Sequence, residues 1–112
     1  MSILRFISAL LLSVLVLSAG VSAQGGQQAK GKTYTVHIKG FEFTPESLEV
    51  TKGDTVVWMN DDIVPHTATA KGAFDSKGLA HGRSWSYVAN KTGTHPYICT
   101  YHPTMKGELV VK

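Results

Sequence analysis

From Thr33 onward, apolar residues recur at every second position, and no later stretch holds a helical period for ten residues. Strict two-residue alternation turns one face of an extended chain toward a core and the other toward water, which commits this region to strands. Tyr34, Val36 and Ile38 share one face, with Thr35, His37 and Lys39 on the other. Leu48 and Val50 alternate with Glu49 and Thr51, Lys52-Gly53-Asp54 supplies a turn, and Thr55 to Met59 is a more fully apolar run. Thr67 to Ala70, Ser84 to Val88, His95 to Cys99 and Glu108 to Val111 complete the set, separated by Gly, Pro, Asn and Asp. Residues 71–82 have room for one short helical turn. The pattern predicts an all-β chain, a Greek-key two-sheet β-sandwich of about seven to eight strands. Its expected core is Phe41, Phe43, Leu48, Val50, Val56, Trp58, Trp85, Tyr87, Tyr97, Leu109 and Val111.

The N-terminus reads as an export signal. Arg5 gives a positive start, Phe6 to Leu17 is apolar apart from Ser8 and Ser13, and Val21-Ser22-Ala23 places small residues at a cleavage point before Gln24. The rival reading is a retained membrane anchor, but this run has 12 residues and a span needs about 20. A lipid-modified start would need a cysteine at the cleavage point, and the one cysteine is Cys99. The division expected is therefore a signal peptide over 1–23, a polar lead-in over 24–32 and one domain over 33–112, in a protein that is periplasmic or otherwise exported.

Removing 23 of 112 residues leaves 89, enough for one small domain. Small exported domains often rely on disulfides, yet a single cysteine cannot form one internally, and a metal would account for it. The expected mature part keeps ten Lys plus Arg against eight Asp plus Glu. The lysines form no dense stripe, so no nucleic-acid partner is expected. Asp61-Asp62 reads as a solvated turn.

The chemistry concentrates in Cys99-Thr100-Tyr101-His102-Pro103-Thr104-Met105. A thiolate, an imidazole and a thioether recur at three-residue intervals between two strands, so one bend of chain brings three soft or borderline donors to a point. His66, after Pro65 at the end of the Trp58 strand, is the candidate fourth. Two histidines and a cysteine with a weak axial methionine make the donor set of copper electron-transfer sites. Cu(I) favours sulfur and Cu(II) favours imidazole, so one rigid intermediate geometry changes oxidation state with little rearrangement. Zinc stays open as the alternative metal, although structural zinc prefers four Cys or His ligands.

These residues resemble those of the cupredoxins, the small type 1 (blue) copper proteins, and among them the plastocyanin and amicyanin types. The resemblance runs through Phe43-Thr44-Pro45, Leu48-Glu49-Val50, Gly53 to Asn60, Pro65-His66-Thr67 and Cys99 to Gly107. It implies one copper ion held by His66, Cys99 and His102, with Met105 as the long axial ligand. It also implies that the N–H of Thr67 bonds the cysteine sulfur. Three positions depart from the family pattern. Thr67 stands where relatives carry Asn, which predicts a weaker side-chain tether between the ligand loops. Tyr101 replaces a proline and brings an N–H, which predicts a second donor to the Cys99 sulfur. His95 stands where relatives often have tyrosine, and with Pro96 it reads as structural. His37 and His81 read as surface residues.

The implied function is that of a soluble one-electron carrier rather than an enzyme. It would be monomeric and would dock redox partners transiently at the edge of His102, among Pro65, Pro103 and Thr104. Protonation of His102 in the reduced form is a further implication of the amicyanin-like loop. A copper-delivery module would favour exposed, Met-rich ligands, and only Met1, Met59 and Met105 exist. An oxidase or nitrite-reducing enzyme would need more copper sites, and the sequence has no His-x-His pair.

Overall fold

The structure, a computed structural model, describes residues 31–112. The expected signal peptide, and the expected lead-in up to residue 30, lie outside the described residues. Gly31 and Lys32 already belong to the folded domain. The Lys32 N–H donates to Asp54 Oδ1 at 2.8 Å and its carbonyl accepts the Thr55 N–H at 2.8 Å.

Nine strands are present among these residues: β1 Thr33–Lys39, β2 Glu42–Thr44, β3 Ser47–Val50, β4 Thr55–Asn60, β5 Thr69–Ala70, β6 Phe74–Asp75, β7 Ser84–Val88, β8 Gly93–Cys99 and β9 His102–Val111. They form two sheets, ordered β2-β1-β4-β7 and β3-β9-β8-β5-β6. Both are mixed, because β1 runs parallel to β4 and β3 parallel to β9. The sandwich expected from the alternation is therefore present, with more strands than its pattern predicts. The additions are two or three residues long, too short to display a period. The helical turn allowed over 71–82 does not form. Gly72 and Gly82 adopt φ of 80° and 74° there, and the segment instead holds β6 and an isolated bridge between His66 and Leu79.

Alternation does build the core. In β4, Val56, Trp58 and Asn60 are buried while Thr55, Val57 and Met59 are partly covered. Val36 and Ile38 of β1 join Val56 and Trp58, facing Tyr97, Leu109 and Val111 from the other sheet. Trp58 is the hub, with ring centroids 5.1 Å from Phe74, 5.5 Å from Tyr97 and 5.8 Å from Trp85. Burying one such aromatic side chain contributes about 1.5–3 kcal/mol. Leu48, Trp85 and Tyr87 pack against this core but are only partly buried. Phe41, expected inside, is 48% exposed, for a reason that belongs to the site.

Two ties fix the strands that carry the site. Asp54, buried beside Gly53 (φ 96°), accepts the Thr51 N–H at 2.8 Å and locks the β3–β4 turn. On β8, Pro96 pairs with Glu108 of β9 on one side, and β5 pairs with β8 only at Ile98 on the other. The missing proline N–H thus leaves no broken ladder bond, as the protected position expected for it requires.

Candidate metal centre

The sharp link from β8 to β9 sets up the site. Cys99 and His102 face each other across Thr100-Tyr101, with a register irregularity at Ile98 and Cys99. β9 therefore begins at His102, and His102 and Met105 sit at the start of a strand rather than in a free loop. His66 enters from the segment between β4 and β5. Its N–H donates to the Leu79 carbonyl at 3.1 Å and its carbonyl accepts the Leu79 N–H at 2.8 Å.

One donor atom from each of His66, Cys99 and His102 lies within 4.8 Å of the others. The Cys99 Sγ is 3.6 Å from His66 Nδ1 and 3.7 Å from His102 Nδ1. Metal–nitrogen and metal–sulfur bonds of about 2.0 and 2.3 Å, at an angle between tetrahedral and trigonal, separate the two donors by about 3.6–3.7 Å. The spacing thus fits a metal site in which His66, Cys99 and His102 would hold one ion, and a borderline-soft donor set of this kind suits copper. His66 and Cys99 are fully buried, whereas His102 is partly exposed. Met105 is buried three residues beyond His102 and lines a cavity of about 340 Å³ with Phe41, Phe43 and Thr104.

The sulfur receives the N–H of Thr67 at 3.4 Å, as expected. The second donor expected from Tyr101 is not among its partners. Tyr101 sits in the tight turn, 55% exposed, with its hydroxyl against Gly78. The tether expected to be weak is in place: Thr67 Oγ1 accepts the Thr100 N–H at 2.9 Å and lies 3.2 Å from Thr100 Oγ1. A threonine hydroxyl is enough because the two ligand segments approach closely here.

Two contributors escaped the sequence reading. Asp62 Oδ2 lies 2.8 Å from His66 Nε2. A carboxylate only accepts, so the ring proton sits on Nε2 and Nδ1 turns its lone pair toward the sulfur. Burial alone would raise the Asp62 pKa, but N–H bonds from Phe41 and Gly40 and the His66 contact outweigh it and hold the carboxyl below its usual value. Asp61 does behave as a surface residue, paired with exposed His37 at 2.7 Å. The second contributor is Phe41, whose ring stands edge-on to His66 and His102 with centroids 5.1 and 4.9 Å away. An acid four residues before a candidate ligand was the available signal for Asp62. His95 is structural as expected, its Nε2 set 2.8 Å from the Lys91 carbonyl oxygen.

The cupredoxin-like domain family matches residues 8–111, and the chain belongs to that family. It is 32% identical to amicyanin-alpha from Methylorubrum extorquens over 102 residues, 86% of this chain and 85% of that protein. Among solved structures, a methionine-to-alanine variant of amicyanin in its Cu(I) form superposes with a TM-score of 0.68 at 28% identity, covering 71% of this chain and 82% of that one. A copper-containing nitrite reductase from Thermus scotoductus gives 0.69 at 30% identity over 80% of this chain. The chain spans 24% of that reductase.

Proposed function

We propose that this protein is an exported one-electron carrier with a single type 1 copper, ligated strongly by His66, Cys99 and His102 and weakly by Met105. The observation that carries the reading is the convergence of two imidazole Nδ1 atoms on a buried sulfur already engaged by one backbone N–H. Copper there supplies a one-electron Cu(I)/Cu(II) couple. The residues supply a fixed frame for it: His66 is held by Asp62 and by its bridge to Leu79, and Cys99 and His102 by the β8–β9 pairing. A frame that does not rearrange keeps the cost of changing charge low.

His102, partly exposed beside Phe41, Tyr101 and Pro103, is the point at which donor and acceptor proteins dock transiently. The working protein is a monomer that begins near Gln24 after loss of residues 1–23 and acts in the periplasm or elsewhere outside the cytoplasm. The amicyanin relative favours this carrier role. The likeness to a nitrite reductase raises an enzymatic reading, but the chain spans 24% of that reductase, and among the described residues there is one cluster of metal-binding side chains.

Voltammetry of the copper-loaded protein tests the proposal. A single reversible wave with one electron per chain, unchanged by nitrite, is expected. A catalytic current on adding nitrite would overturn the carrier reading in favour of the enzyme.

A further inference from the structure

Asp62 gathers partners from four stretches of chain. Its N–H donates to Asn60 Oδ1 at 3.0 Å and its carbonyl accepts the His81 Nδ1–H at 2.8 Å. Its Oδ1 accepts the Gly40 N–H at 2.8 Å, while Oδ2 accepts the Phe41 N–H at 3.0 Å and the His66 Nε2–H at 2.8 Å. Gly40 and Phe41 have φ of 62° and 58°. That left-handed region is unfavourable for a phenylalanine and persists where neighbouring structure holds it. The Asp62 carboxylate does so by taking both N–H groups of the turn.

The result is where the Phe41 ring ends up. Instead of entering the core it stands at 86° to the His66 ring and 87° to the His102 ring, with nearly half its surface in water. The other members of the site are closed off, with His66 and Cys99 at 0% exposure and Met105 at 5%. Of the residues gathered here, Phe41 and His102 are the ones that reach solvent.

We propose that Asp62 is a positioning residue whose carboxylate clamps the His66 ring and the Gly40-Phe41 turn as one unit. Phe41, so held, is the cap that a metal ion displaces on its way into or out of the cluster. This rests on the copper reading above. The clamp also orders the site before metal arrives, because none of its hydrogen bonds involves the ion.

Two measurements test it. In the first, copper(I)-loaded protein is mixed with excess bathocuproine disulfonate and the rate of copper transfer is followed. Loss of two edge-to-face contacts should speed release about tenfold or more in Phe41→Ala, with Phe41→Leu intermediate and Asp62→Asn also faster. In the second, amide hydrogen exchange is followed in the metal-free full chain. Asp62→Asn should accelerate exchange at Gly40 and Phe41 selectively, leaving the β4 amides near their unmutated rates. Release within about twofold of the unmutated rate in both Phe41→Ala and Asp62→Asn would overturn the cap. Unchanged exchange at Gly40 and Phe41 would overturn the clamp, as would equal acceleration throughout β4, which would mark Asp62 as a general stability residue. Failure of the unmutated chain to take up copper would sink the copper reading and the cap together, while the exchange data would still decide the clamp.

Discussion

Thr67 serves the site twice, through its N–H to the Cys99 sulfur and through its hydroxyl to Thr100. Thr67→Val keeps the N–H and the side-chain shape but strands the Thr100 N–H in a partly buried place. Stability should fall by about 1–3 kcal/mol in urea unfolding, with copper still bound, and an unchanged midpoint would show that the tether carries no load. Asp62 makes a pH prediction. Its folded carboxyl is more acidic than the usual 3.8, so the stabilisation it gives is complete above that value and is lost as pH falls through the lowered one. The stability gap between the metal-free protein and Asp62→Asn should therefore stay level from about pH 7 to about pH 5 and shrink in stronger acid. A gap that widens on acidification would contradict the assignment. The candidate ligands were legible because three of them lie within seven residues of sequence. Phe41 was not, since its role depends on a contact across more than twenty residues and on a positive φ that no local pattern announces. Asp62 offered only its place four residues before His66, with its grip on the Gly40-Phe41 turn hidden by the same long separation.

At the scale of elements, alternation exposed the longer strands, which have enough residues to show a period. It missed β2 and β6, and it started β9 at Glu108 instead of His102, because Met105 and Gly107 continue a buried face that Pro103 and Thr104 disguise. Gly107 has a specific reason to be glycine. It pairs with Tyr97 across β8 and β9, and a Cβ there would overlap the Tyr97 ring. Tyr97 is 2% exposed, and burial pushes its hydroxyl up to about 12. Gly107→Ala should destabilise the domain by about 1–3 kcal/mol through overpacking, read as a lower thermal midpoint. Because these strands also carry Cys99 and His102, the copper spectrum should shift as well. A midpoint equal to that of the unmutated protein would mean that the ring moves aside freely.

Across the whole molecule, the two sheets bring one histidine from the β4–β5 segment to a hairpin that supplies the rest, so the site exists only when the sandwich is closed. The wrapping also decides which side faces water. Phe41, Ile63 and Tyr101 are the large apolar side chains left exposed on the segments around the site, and the chain's net charge of +3 is mild. Such a surface suits brief contact governed by shape more than by charge. The central claim is a copper–thiolate bond at Cys99, and titrating the metal-free protein with Cu(II) tests it directly. One equivalent should produce an intense blue sulfur-to-copper absorption band and a narrow copper hyperfine splitting in electron paramagnetic resonance, both absent from Cys99→Ser. A colourless protein with ordinary wide splitting, or a blue band that survives in Cys99→Ser, would contradict it.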